Sequence, residues 1–501
     1  MFLNKKIKVN YVLIIILILA LFLRIHRINH TFVKNHDGWN GSFYSLIAEN
    51  YLSIGFFKLR FAPHLWISAD KLQYYLHHPP LVGLLTSIMF KIFGKAEWSA
   101  RIPFLFSSLV NIVLIYMLAK KMFNKNIGFL AAFLFSLVPM ASFYDLMVDP
   151  QGSLILTFIL LMSYSYYLFL KGEKKYFKWL IISFAVSVII DWGSYLFLII
   201  LSLHYFLYKR RFSKEFFLLF SLPLIFLSIF VVYSLMITGS IEGAGLFQTL
   251  IYSFFTKEPE MPENFLVKTY YYYPFSIEGY IKRILEYWLL LYTPPLLILS
   301  LLWLFSLSTN FFRKKNINLE DQMIILFFIF GLSYIIILKN AAYYHDYNSY
   351  YLLPFFTISS SIVLFKLVMM TNNKKLKTII IVLFLIFTSI FSIKTLLQYS
   401  FFEEGEEFYK IGKFLRENTN HNEKIIFSGT FTPQLNYYSE RRIEYGVTHP
   451  QHVIDLAESD NNFKFYVRYT PIELLTKEQE EKFKNYENFR FNGVFNVFYL
   501  S

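Results

Sequence analysis

Long apolar runs separated by short basic stretches set the rhythm of this chain. The first run, Tyr11 to Leu23, is unbroken, and with its flank to Ile28 it can cross a hydrocarbon layer of about 30 Å. Further runs of span length fall near 100–120, 126–144, 150–170, 176–190, 193–208, 215–237, 285–307, 321–338, 350–370 and 376–397, which predicts about eleven crossings. No small-residue cleavage site follows the first run, so it reads as a retained helix. Residues 79–93 are apolar but too short for a span, and they open on His77-His78-Pro79-Pro80, where proline suits the first helical turn. This segment and Asn40 to Phe57 are expected as helices lying in the outer interface. After about residue 398 the pattern changes. Short β-like runs at Lys424–Phe427, Phe463–Val467 and Val494–Leu500 alternate with helical stretches at Glu404–Glu417 and Thr476–Asn485. The expected fold is a polytopic α-helical membrane domain over 1–397, with an outer loop carrying interfacial helices over 29–99. A small extracytoplasmic α/β domain over 398–501 follows, read as a packing or docking module because it carries no Gly-rich phosphate loop and no metal spacing.

Charge orients this array. Basic clusters occur at Lys5-Lys6-Lys8, Lys120-Lys121-Lys125, Lys171 to Lys178, Lys209-Arg210-Arg211-Lys214, Arg313-Lys314-Lys315 and Lys374-Lys375-Lys377. The positive-inside rule puts them all on the cytoplasmic face, so an even number of crossings separates successive clusters and the C-terminus lies outside. The net charge of +14 therefore belongs to membrane loops, and nucleic acid is excluded as a partner. Cysteine is absent, which excludes disulfides and thiolate metal sites.

With that parity, Asp37, His77, His78, Asp145, Asp149, Asp191, His345 and Asp346 all face the outside of the cell membrane. Ionisable groups near a bilayer are costly unless they serve a cavity or pathway, so their convergence on one side points to a site, against the plainer reading of solvated loop residues. Asp37 stands out, in His36-Asp37-Gly38-Trp39, just beyond the first span and ahead of a helix. There it can act as a general base or as the cap of that helix.

These features resemble the class C glycosyltransferases of the protein-mannosyltransferase and lipid A aminoarabinose-transferase kind, over about residues 9–370. The acidic residue after the first span and its interfacial helix are matched by Asp37-Gly38-Trp39 to Tyr51. A motif ending in prolines is matched by His77-His78-Pro79-Pro80-Leu81, and an Arg-Leu-Pro-like triplet by Arg101-Ile102-Pro103. An Asp opening a later helix is matched by Asp149. A His-x-Tyr-Tyr-Leu-Leu-Pro type element is matched by His345-Asp346 and Tyr350-Tyr351-Leu352-Leu353-Pro354.

The resemblance implies transfer of a sugar from a polyprenyl-phosphate donor to a hydroxyl of a lipid, glycan or protein at the outer face. Asp37 takes the place of the family's base. His78, Arg101, Asp149, His345 and Tyr351 are the substrate-binding candidates, with His78 and Arg101 facing the leaving phosphate. His345 has three open readings: metal ligand, phosphate contact, or cap of the span from 348. The aminoarabinose transferases carry an acidic metal ligand at the place of His77 and a lysine at that of His78. Two histidines here leave a divalent metal ion open as a cofactor, with His77 as its ligand. The family's second ligand, a His in a later outer loop, is missing from 238–283, where Glu258, Glu260 and Glu263 stand instead as solvated acids. Asp191-Trp192 occupies a place where many relatives carry Lys-Gly. Tyr270 to Tyr273 read as an interfacial aromatic belt or as a sugar-stacking surface. Two rival functions are a surface-glycan polymerase or ligase using a diphosphate-linked donor, and a lipid or glycan flippase. A flippase would place ionisable groups at mid-membrane in repeated halves, and no repeat is visible here.

Overall fold

The computed structural model describes residues 11–33, 35–239, 276–314, 317–401, 406–469, 481–484 and 486–500. The basic cluster at Lys5-Lys6-Lys8, the acids Glu258, Glu260 and Glu263, the tyrosines 270–273 and most of the helix expected over 476–485 lie outside them.

The chain begins with α1 (Tyr11–Ile25), α2 (Asn35–Ile54), a two-stranded antiparallel hairpin of β1 (His64–Trp66) and β2 (Leu72–Tyr74), and α3 (Leu81–Phe93). There follow α4 (Glu97–Met122), α5 (Lys125–Leu137), the short α6 (Pro139–Tyr144), α7 (Ser153–Leu170), α8 (Lys175–Ser187), α9 (Gly193–Lys209) and α10 (Lys214–Thr238). The second half holds α11 (Ile277–Leu291), α12 (Pro294–Lys314), α13 (Leu319–Ile337), the short α14 (Lys339–Tyr344), a 3-10 helix at Asp346–Leu352, α15 (Leu353–Met370) and α16 (Lys374–Phe401). Polar caps stand where the apolar pattern starts: Asn124, Ser213 and Asn318 each accept a hydrogen bond from a backbone N–H of the helix they precede.

Six of the described helices are long and apolar enough to cross a membrane, namely α4, α7, α10, α13, the 3-10 helix continued by α15, and α16. The bent pair α11–α12 would make a seventh, and α1, α3, α5 and α9 are shorter apolar helices. Two expected spans are broken. The run 126–144 splits at Val138, which is extended ahead of Pro139, because a residue before proline is driven out of the α region. The run 285–307 turns by 113° between Leu291 and Pro294. Pro294 and Pro295 there can start a helix but cannot continue one. The helix expected from Asn40 starts five residues earlier, at Asn35, so Asp37 sits inside its first turn rather than ahead of it. This sets aside the cap reading. A carboxylate in a first turn still gains from the positive end of the helix dipole.

Beyond α16 lie α17 (Glu406–Glu417), β3 (Lys424–Phe427), α18 (Pro433–Ser439), β4 (Arg442–Tyr445), α19 (Pro450–Ser459), β5 (Phe463–Tyr469), β6 (Asn488–Phe491) and β7 (Phe495–Tyr499). The five strands form one mixed sheet in the order β4-β3-β5-β7-β6, parallel across β4-β3-β5 and antiparallel from β5 to β6. Alternation along β3 sends Ile425 and Phe427 to one apolar layer, with Ile411, Leu415, Phe465 and Val497. Ile426 goes to the other, with Val453, Tyr466 and Phe498, and Ala69 from the hairpin loop completes that layer. The hairpin is tied down further: Lys424 Nζ pairs with Asp70 at 2.8 Å and the Arg442 guanidinium lies 4.0 Å from the Trp66 ring.

Candidate active site

The loop after α1, the start of α2, the α6–α7 connection, the α8–α9 connection and the 3-10 helix converge on a single polar region. Asp37 is buried there and paired with Arg101 of α4, whose Nη2 donates to Asp37 Oδ2 at 2.8 Å. The other oxygen, Asp37 Oδ1, is buried without a hydrogen-bond partner. Arg101 is 1% exposed, and its other arm donates to the carbonyls of Ile28 and His30. The Phe32 ring lies 4.5 Å from the guanidinium. One arginine thus holds the loop after α1 and the head of α2 in a fixed relation, a task suited to a planar fork with five donors. Gly38 lets α2 start close against that loop, since a Cβ there would lie 2.7 Å from the Val33 backbone.

His78 does not stand free to meet a phosphate with both nitrogens. Its Nδ1 hydrogen-bonds Asp191 Oδ1 at 3.1 Å, which leaves Nε2 as the ring's second polar atom. Asp191 Oδ2 accepts from the Tyr351 hydroxyl at 2.8 Å and from the Gly193 N–H at 3.0 Å. Burial alone would raise the Asp191 pKa, but the His78 hydrogen bond and charge, with these two donors, outweigh it and hold the carboxyl below its ordinary value. Gly193 is required here, because a Cβ would stand 2.8 Å from Tyr351 Oη. The departure at Asp191-Trp192 thus has a structural partner set. Asp191 orients His78 and Tyr351, and Trp192 Nε1 donates to the His77 carbonyl at 2.7 Å.

Asp149 is buried with Oδ1 accepting the Gln151 N–H at 2.7 Å. Burial pushes its pKa up to about 7, opposed by the His78 charge and the Gln151 hydrogen bond and reinforced by Asp191. His345 packs its ring on His36 at 4.4 Å between centroids, with Nδ1 3.1 Å from His36 Nδ1. His36 Nε2 lies 3.2 Å from the Tyr344 carbonyl, so it carries that ring's proton and His345 Nδ1–H donates to His36 Nδ1. Burial lowers the pKa of both rings, and for His345 the neighbouring His36 lowers it further. His345 makes no side-chain cap hydrogen bond to the 3-10 helix, which removes the capping reading.

His77 is held neutral, its pKa lowered to about 3 by burial and by His78. Among the described residues no three of His, Asp and Glu are arranged to hold a metal ion. Among these described residues His77 and His78 alone do not make up the donor set of a resident metal ion.

Sequence reasoning passed over several groups at this site. Arg27 stacks on Phe143 at 4.2 Å, donates to the Ser142 carbonyl, and leaves Nε buried without a partner, within electrostatic reach of Asp37 and Arg101. Its signal was its position, four residues (about one turn) beyond the apolar run that ends at Leu23. Behind the site, Arg24 and Asp145 form a second buried pair at 2.6 Å, joined by Ser108 and by Tyr350 of the 3-10 helix. Asp145, expected among the ionisable groups that converge on the site, is a fully buried structural anchor, which rules out the reading of a solvated loop residue for it.

The sequence profile of the dolichyl-phosphate-mannose-protein mannosyltransferase family matches residues 77–235. The segment from His77 through α10 is thus similar to that family. A candidate mannosyltransferase of Bacillus subtilis, YkcB, is 27% identical over 184 residues, 36% of this chain and 24% of that protein's length. In three dimensions the chain resembles ArnT from Cupriavidus metallidurans bound to undecaprenyl phosphate, with a TM-score of 0.63 at 10% identity, covering 98% of this chain and 97% of the other. It also resembles the oligosaccharyltransferase AglB from Archaeoglobus fulgidus in complex with an inhibitory peptide and a dolichol-phosphate. There the TM-score is 0.55 at 15% identity, covering 97% of this chain and 73% of the other. The fold is therefore that of the class C glycosyltransferases, with several apolar helices that make this an integral membrane protein, and within it residues 77–235 are similar to the mannosyltransferase family.

Proposed function

We propose that this protein transfers a sugar from a polyprenyl-phosphate donor to a hydroxyl group at the outer face of the cell membrane, with Asp37 as the general base. The observation that carries this reading is the asymmetry of the Asp37 carboxylate. Arg101 fixes Oδ2, while Oδ1 is buried and unspent. An acceptor hydroxyl that hydrogen-bonds Oδ1 loses its proton there as its oxygen attacks the anomeric carbon, and the carbon–phosphate oxygen bond breaks. Such positioned proton transfer is worth about 10²–10⁴ in rate. The departing phosphate gathers negative charge beside Arg27 and Arg101, and His78, with Nδ1–H spent on Asp191, donates from Nε2 to it when its ring carries both protons. Asp191 and Tyr351 orient His78, and Asp149 and His345 complete the wall of the site. A single displacement by the acceptor inverts the anomeric centre. The donor class is supported by the polyprenyl phosphates carried by the two structural neighbours. The acceptor is a lipid, glycan or protein hydroxyl.

The test uses purified full-length protein with undecaprenyl-phosphate-linked hexoses or pentoses and water-soluble hydroxyl acceptors. Asp37→Asn is expected to reduce transfer by about two to four orders of magnitude at unchanged protein level. Wild-type rates in that variant would remove Asp37 from the chemistry.

A further inference from the structure

The 3-10 helix Asp346–Leu352 spends nearly all of its polar side chains on the protein. Tyr350 donates to Asp145, Asp346 accepts from Tyr144, Ser349 accepts from Trp288 Nε1 at 3.1 Å, and Tyr351 donates to Asp191. Asn348 is the exception. It is 3% exposed, and both Nδ2 and Oδ1 are buried with no hydrogen-bond partner. An amide in that state has given up water for nothing, and swapping its ends leaves the deficit unchanged. A group of this kind calls for a ligand.

Its position says which. In a 3-10 helix residues three apart eclipse one another, so Asn348 and Tyr351 share one face, and the carbonyl of His345, the residue before the helix, accepts the Asn348 N–H at 3.1 Å. His345 packs on His36, the neighbour of Asp37, and Tyr351 reaches Asp191 and through it His78. Along the chain Asn348 thus falls between a residue that packs beside the base and one that reaches the group assigned to the leaving phosphate, the interval a transferred ring would occupy. Its chemistry narrows the choice. A phosphate offers acceptors only and would leave Oδ1 unpaired, whereas two adjacent hydroxyls offer one oxygen to accept from Nδ2 and one O–H to donate to Oδ1.

We infer that Asn348 grips two neighbouring free hydroxyls of the donor sugar, making it a residue that selects the sugar rather than the lipid phosphate. This rests on the glycosyl-transfer reading above. A buried polar group built to meet a hydroxyl also rejects donors that lack it, since the unpaired state returns.

The experiment compares affinities of full-length protein in nanodiscs for undecaprenyl phosphate and for the same lipid carrying mannose, glucose, galactose or arabinose. Wild-type protein should bind at least one sugar lipid about tenfold or more tighter than undecaprenyl phosphate. Asn348→Leu and Asn348→Ala should erase that margin while keeping undecaprenyl phosphate affinity within about twofold. Their ligand-free melting temperatures should equal or exceed wild type, because the buried unpaired amide is gone. A margin that survives both substitutions, an equal loss for both lipids, or earlier melting of both variants would overturn the assignment. Equal binding of all lipids by wild type would overturn it too, while leaving Asp37 chemistry standing. Wild type that binds none of the lipids removes the donor class and Asn348 with it.

Discussion

Two buried arginine–aspartate pairs, built from the same atoms, sit on neighbouring elements of this protein and do opposite things. In the Arg24–Asp145 pair every carboxylate lone pair within reach is used: Asp145 Oδ2 takes Arg24 Nε, Arg24 Nη2 and Ser108, and Oδ1 takes Tyr350. Arg24 spends its remaining arm on the carbonyls of Ala20 and Ser136. In the Arg101–Asp37 pair both terminal nitrogens of the arginine are engaged, but the carboxylate accepts one hydrogen bond and keeps an oxygen in hand. Desolvating an ion pair is costly unless each remaining polar atom is satisfied. The first pair meets that condition and ties α1, α4 and α6 to the 3-10 helix. The second leaves it unmet at one atom, and an unmet atom in a buried carboxylate is what a base needs.

The comparison breaks most directly when each aspartate is made amide. Asp37→Asn should lower transfer by about 10²–10⁴ and, although the buried Arg101 charge also loses its partner, cost less stability than the same change at Asp145, since only one oxygen was bonded. Asp145→Asn should do the reverse, costing roughly 3–5 kcal/mol of stability because the Arg24 charge is left buried and uncompensated. Protein level and thermal melts in detergent, read beside specific activity of the folded fraction, separate the two outcomes. If Asp145→Asn folds normally but is inactive, the distinction between anchor and reactive pair is lost.

A milder cut tests the arginine. Arg101→Lys keeps the charge but loses the fork that joins Ile28, His30 and Asp37, along with its packing on Phe32. Turnover is expected to drop about 10- to 100-fold through misplacement of Asp37, with protein yield close to wild type. Unchanged turnover would mean that charge alone, rather than geometry, suffices at this position.

These two pairs were unequally legible in the sequence. Asp37 and Arg101 drew attention because motif order and spacing marked them, and the structure brings them into contact. Arg24 looked like the ordinary basic end of a span, and its partner lies 121 residues away, a distance no local pattern encodes. Asn348 was invisible because its significance is the absence of a partner, which only packing reveals. The sheet divided in the same way. Runs at 424–427, 463–467 and 494–500 were readable because β3, β5 and β7 are central and apolar. The strands β4 (Arg442–Tyr445) and β6 (Asn488–Phe491) are its edges, where charged and polar residues blunt pairing and erase the strand signature. The bend at Pro294-Pro295 was written in the sequence and overridden by the apolar pattern around it.

A third carboxylate sharpens the comparison, because Asp149 is buried near the same region, accepts the Gln151 N–H and, among the described residues, has no arginine salt bridge. Its folded pKa stands at about 7 rather than the ordinary 3.8, driven first by burial. The sign follows from linkage. Because the folded state holds the proton more tightly, the stabilisation is complete below the ordinary carboxylate value. It is lost as pH rises through about 7, where the buried site must accept the charge. Asp149→Asn keeps an oxygen for the Gln151 N–H and cannot ionise. Between pH 5 and 8 the wild-type melting temperature should therefore fall relative to the variant, on the order of a few degrees. Parallel melting profiles would mean that the opposing His78 charge wins over burial and keeps Asp149 ionised throughout. Asp149 would then belong with the paired carboxylates. A divergence centred near neutral pH would instead set it apart as the one acid of the three that the fold holds protonated without an arginine.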